Sequence, residues 1–198
     1  RTVVTRGRAL GLGAAGLALV AIAGFVSVQG LIDPTQTALE LANALGLSLL
    51  VPVAALVVGG ATLGDPADDA TLVYLWLRPQ PRWKLALAAD LVGVVVVIAV
   101  SVVPTVVAAA IIRPEAAVVG GVALSATLAA VAYTALFTWL GLLTRRALVW
   151  GIAYVSIGEQ FVARGGSGLG FLSVHAHAVS VLAGVSGRRI TLDYFSTS

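Results

Sequence analysis

Two uninterrupted apolar stretches, Thr37–Leu63 and Leu85–Ile112, constrain this chain more than any other feature. A helix needs about 20 apolar residues to cross the hydrocarbon core of a bilayer. Each stretch exceeds that, and both are too apolar for a soluble core. Hydrophobic residues make up 59% of the 198-residue chain and charged residues 11%. A soluble domain carries about a quarter charged residues. The expected fold class is therefore an all-α integral membrane protein, a single transmembrane domain over residues 1–198.

Hydropathy places a first span at Leu10–Val28 and the next two at the stretches just named. A fourth falls at Ala117–Leu143 and a shorter fifth at Ala147–Val162. Asp33-Pro34 has the form of an N-cap followed by proline at the first helical position. Pro52 and Pro104 fall inside spans, where proline is expected to kink the helix. Gly165–Gly170 is a glycine-rich turn, and Phe171–Val185 is apolar but interrupted by Ser173, His175, His177 and Ser180. The preferred reading of 165–187 is an outer re-entrant hairpin, the alternative a full crossing. Re-entry puts a sixth helix beyond this sequence, and the absence of Met at position 1 puts the natural N-terminus upstream.

Lys and Arg concentrate on cytoplasmic loops. With the N-terminus inside, that side holds Arg1, Arg6, Arg8, Arg78, Arg82, Lys84, Arg145 and Arg146, while the short outer loops before the fifth span's exit hold only Arg113. The expectation is a multi-pass protein of the cell membrane with a cytoplasmic N-terminus. The net charge of +3 is no nucleic-acid footprint, because the basic residues are scattered through short loops. The lack of Cys excludes disulfides and thiolate metal sites.

Between the second and third spans lies a charged, amphipathic island, Gly64–Trp83. Asp68, Asp69 and Thr71 suit a helix N-terminus, where carboxylates and hydroxyls satisfy free N–H groups. Leu72, Leu75 and Trp76 recur at i, i+3 and i+4 and form one apolar face. Tyr74 and Arg78, four apart, share another. Such a helix could dock a soluble partner, or simply lie at the headgroups with its aromatics in the interface.

This island resembles the cytoplasmic loop of ABC-2 type transporter permeases. The residues that carry the resemblance are Asp68-Asp69, Thr71, Tyr74-Leu75, Leu77-Arg78-Pro79 and Pro81-Arg82-Trp83. The chain departs from that pattern at Pro66-Ala67, at Ala70 and at Ala88-Ala89-Asp90. The resemblance implies a transport subunit, in the direction of export, without an ATP site of its own. Two permease chains, in a homodimer or heterodimer, would form the pathway. A separate ATPase would hold ATP and Mg and would be coupled through Asp68–Arg78. The absence of any GxxxxGK[ST] pattern agrees with ATP binding elsewhere.

Other polar residues stand within spans. Gln36, Glu40 and Asn43 are spaced four and three, so one face of the second helix could line an exit path or meet the headgroups. Glu159 ends the fifth span beside Gln160, as part of an outer gate or as an anchor for the hairpin. Asp90 is expected to reach the interface or to pair with a basic residue of the loop. His175 and His177 lack further metal ligands. Gly11, Gly13 and Gly16 spell GxGxxG, but no strand precedes them, and close helix packing explains them better. An ion-driven transporter using Glu40, Asp90 and Glu159, and a non-transporting anchor subunit, are the competing functional classes.

Overall fold

The computed structural model describes residues 6–30, 32–68, 82–143, 147–155 and 173–187, all of it helix or short connections. Four stretches are long and apolar enough to cross a membrane: Gly7–Val28, Pro34–Ala61, Leu87–Ile112 and Ala116–Gly141. They fit a membrane-embedded chain, since large apolar side chains such as Leu10, Leu17 and Phe25 point outward.

Helix α1 spans Arg6–Val28 and buries Leu12, Gly16, Leu19 and Ala23. These recur every three or four residues and make one stripe. The second rod is α2 (Pro34–Leu41), a π-helical stretch (Ala42–Leu50) and α3 (Val51–Asp68) without a break. The third is α4 (Arg82–Val97), a π-helical stretch (Ile98–Val102) and α5 (Val103–Ile112). Arg113-Pro114-Glu115 turns the chain into α6 (Ala116–Leu143), with Arg113 Nε 3.1 Å from Glu115 Oε2 across the turn. Two shorter helices follow, α7 (Ala147–Ala153) and α8 (Val174–Ser186).

The prolines explain the wide turns. Proline has no N–H for the helical ladder, and its ring collides with the carbonyl four residues back. Before Pro52 and before Pro104 the ladder loosens to the π register, in which Val51 N–H donates to Gly46 O and Val103 N–H to Ile98 O. Hydroxyls near both prolines bond back to their own helix. Ser48 Oγ donates to Asn43 O at 2.9 Å, Ser101 Oγ to Val97 O at 2.7 Å, and Thr105 Oγ1 to Ser101 O at 2.7 Å. The helix thus continues through each proline by widening the turn ahead of it.

The two interrupted rods cross at Gly46, where a Cβ would collide with Thr105 Cγ2 and lie 3.0 Å from its Oγ1. On the other side of the third rod, Gly16 lets α1 settle over Pro104. A Cβ at Gly16 would be 2.8 Å from Pro104 Cγ and 3.3 Å from Val100 O. Gly11 and Gly13 meet nothing within 4 Å, so of the three glycines expected to permit close packing only Gly16 does so.

Helix α6 is the hub. It packs on α3, α8, α5 and α4, with Val118, Val122, Ala126, Ala130, Tyr133 and Phe137 buried along its length. Tyr133 stacks on Phe137 at 6.0 Å between ring centroids, and Tyr154, just after α7, meets Phe137 edge-on at 6.2 Å.

Gly46→Ala is expected to destabilise the bundle by about 1–3 kcal/mol, the usual range for forcing atoms into a packed core. Gly11→Ala is expected to be neutral or slightly stabilising. Adding Thr105→Ser, which removes Cγ2 but keeps the back-bonding hydroxyl, should recover part of the Gly46→Ala loss. Thermal denaturation of the three variants in one detergent measures this order.

Candidate functional site

The polar features of the described bundle fall in three places: the start of the second rod, the paired π-helical stretches, and the start of α8. At the first, Asp33 caps α2. Its Oδ1 accepts from Thr35 N at 3.1 Å and Gln36 N at 3.0 Å, and Pro34 occupies the first turn, as Asp33-Pro34 suggests. One turn on, Gln36 Nε2 donates to exposed Glu40 Oε1 at 2.9 Å. Asn43 stands next on the same rod, in the π-helical stretch. Its Oδ1 is buried and has no hydrogen-bond partner among the described residues. Gln36 and Glu40 therefore form a pair, and Asn43 is a separate group deeper along the rod.

The crossing of the rods contributes little free polarity. Ser101 and Thr105 are fully buried, but each hydroxyl is tied to its own helix. Ser125 and Thr134 of α6 are tied down in the same way, to Val122 O and Ala130 O. Asp90, on α4, has its Oδ1 buried without a hydrogen-bond partner among the described residues.

Helix α8 is the least anticipated element. It packs on α6 with its ends reversed. Leu182 and Val185, towards its C-terminus, lie against Gly121 near the start of α6. Ser173 and Val174, at its N-terminus, lie by Leu128, Ala129 and Ala132 near the middle of the 28-residue α6. Thirteen residues at about 1.5 Å each reach about 20 Å, so α8 covers only half of its neighbour. Ser173 Oγ caps it by accepting from Ala176 N at 3.1 Å, and Gly187, at φ 65°, ends it in the left-handed conformation that glycine adopts without strain.

A cavity of about 310 Å³ opens at this mid-depth start, walled by Leu128, Ala129, Ala132, Val174, Ala178 and Val181, with Ser173 and His177 as its polar members. His177 Nδ1 lies 2.8 Å from Ser173 O. A second cavity of about 390 Å³ lies between α6 and α7 and is lined by Phe137, Trp139, Leu143, Trp150 and Tyr154 among others.

Several residues singled out from the sequence lie outside the described residues: Asp69, Thr71, Leu72, Tyr74, Leu75, Trp76, Arg78 and Glu159. Asp68 is described only as the last residue of α3. The helix continues through Gly64-Asp65-Pro66 beyond the apolar run, and the capping role expected of Asp68 concerns residues outside the described ones. The fifth span expected over Ala147–Val162 is helical in its described part, to Ala153, with one wider turn at 154–155. Among the described residues no group of three or more His, Cys, Asp or Glu could hold a metal ion.

Sequence reading did not find the wide turns, the cavities or the mid-depth start of α8. The first had a signal in the apolar runs that lead from a serine to each proline, Ser48-Leu49-Leu50-Val51-Pro52 and Ser101-Val102-Val103-Pro104. The cavities had none, since they depend on which helices become neighbours.

Fold and site together define an all-helical chain with several membrane-length helices, two of them opened at prolines, and a half-length helix against the central one. No protein family, curated protein or solved structure matches it.

Asp33→Ala is expected to cost about 1 kcal/mol of local stability, while Asp33→Asn keeps most of the cap. Hydrogen exchange at the Thr35 and Gln36 amides in micelles should accelerate in the first variant and stay near wild type in the second.

Proposed function

We propose that this chain is the permease subunit of an ATP-driven ABC transporter of the ABC-2 type, an exporter. It works with a second permease chain and a separate ATPase that holds ATP and Mg. The observation that carries the reading is the charged, amphipathic segment between two membrane-length rods. Helix α3 ends at Asp68, α4 begins at Arg82, and the two helices pack on each other. Asp68, Asp69, Thr71, Leu72, Tyr74, Leu75, Trp76 and Arg78 supply an acidic start, an apolar face and a basic end. A soluble ATPase needs such a lever to move a bundle it cannot enter.

Two further features support transport. Rods opened by π turns have backbone ladders that can be rearranged without breaking a helix outright. Helix α8, about 20 Å long, is short of a hydrocarbon core about 30 Å thick. It serves as the outgoing limb of a re-entrant hairpin on the outer side, with the N-terminus of the chain in the cytoplasm of a cell-membrane protein. Glu40 and Glu159 then belong to the outer end of the pathway.

An ion-driven secondary transporter is the second reading. Its titrating groups would be Glu40, Asp90 and Glu159, and it is favoured by Asp90 on the third rod, whose Oδ1 is buried with no hydrogen-bond partner among the described residues, since ionisable groups within spans are costly and mark ion pathways.

Purification of the full chain with the ATPase it assembles with in its native membrane separates the two. Leu75→Asp with Arg78→Glu is expected to leave the chain in the membrane but to lower vanadate-sensitive ATP hydrolysis by the complex at least tenfold. Recovery of the chain without an ATPase, or hydrolysis equal in wild type and variant, overturns the permease reading. Uptake that follows a proton or sodium gradient and ignores vanadate would establish the second.

A further inference from the structure

We propose that the two π-helical stretches form one hinge, about which α2 and α5 tilt together with α1 against a frame of α3, α4 and α6. The inference goes beyond how transport is energised, and its test reads distances alone.

Position is the first support. Each stretch leads into a proline, and π turns and prolines are among the few places where a helix bends sharply. Bends in two neighbouring rods work together only at one level, since otherwise the straight part of one rod blocks the other. Here Gly46, inside the first stretch, sits on Thr105, in the turn that follows the second. Gly16 of α1 sits on Pro104 and Val100 O at the same turn of the third rod. At both contacts one partner is a glycine, so no side chain of that helix reaches across the pivot.

Packing divides the helices into the same two units. On one side of the crossing, α2 and α5 pack on each other, and α1 packs on α5 and on both π-helical stretches. Among the described residues α1 has no comparable packing on α3, α4 or α6. It is tied to one side of the hinge and follows α5. On the other side, α3 and α4 pack on each other and both pack on α6. The 28-residue α6 contains no proline and runs past both units. Where it meets α3 the fit is interlocked: a Cβ at Gly59 would lie 3.1 Å from Thr134 O and 3.2 Å from Phe137 Cβ. From its start to Ala126, by contrast, α6 buries only small or short side chains, Val118, Val122, Ser125 and Ala126, and α5 buries Ala108 and Ala109. Shallow relief of this kind lets packed helices slide by small steps, while deep interdigitation resists it.

The chain has no Cys, so spin labels on introduced cysteines give the only signal in the full protein in nanodiscs. Phe25→Cys with Leu124→Cys spans the two units. Leu91→Cys with Ala135→Cys lies within the frame, and Phe25→Cys with Val107→Cys within the tilting unit; all five positions are exposed. The first pair is expected to give a distance distribution about twofold or more wider than the other two, as a tilt between units requires. Pro52→Ala with Pro104→Ala returns an N–H to both ladders and should narrow the first pair to the width of the others. Equal widths for all three pairs, a Phe25–Val107 pair as wide as the first, or a width that survives the double proline change would each overturn the proposal. The comparison among the three pairs needs no proline change, so it decides even if that variant fails to fold.

Discussion

The bundle is organised around two carbonyl ladders that proline interrupts. In an apolar environment an unpaired backbone group costs several kcal/mol, so Pro52 and Pro104 oblige their helices to pair those groups another way. The wide turns before each proline do this, with Val51 N–H on Gly46 O and Val103 N–H on Ile98 O. The third rod then presents a shape that its neighbours must fit. Gly46 admits the methyl of Thr105, and Gly16 admits the ring of Pro104. Close approach of this kind replaces the hydrophobic effect as the source of helix association where lipid is as apolar as the side chains. Helix α6 then lies against both interrupted rods.

The polar residues divide into two groups. Most hydroxyls in the interior bond to carbonyls three or four residues earlier on their own helix, so they are silent towards a passing solute. Asn43, Asp90 and Thr138 are exceptions, each with a buried side-chain oxygen that has no hydrogen-bond partner among the described residues. They stand on three different elements. Within one chain the described helices therefore form a packed interior with isolated polar points. Among the described residues no continuous polar path runs through these isolated points.

How much of this could be read from the sequence differs by feature. Rod positions were legible because hydropathy over about twenty residues is a collective signal, and the starts at Asp33-Pro34 and Arg113-Pro114-Glu115 carry their own turn chemistry. The extension of α3 to Asp68 was hidden, because Gly64, Asp65 and Pro66 are ordinarily breakers and were outweighed by the helix behind them. Gln36 and Glu40 were legible as a pair from their spacing of four. His175 and His177 looked alike in sequence. The position of Ser173, four residues before His177, brings Ser173 O to 2.8 Å from His177 Nδ1.

The half-length of α8 has a consequence for how the protein is made. The thirteen residues of this helix begin beside the middle of α6, and Leu182 and Val185 rest on α6 at Gly121. Its place in the bundle therefore depends on α6, and its docking is expected to follow the insertion of that helix.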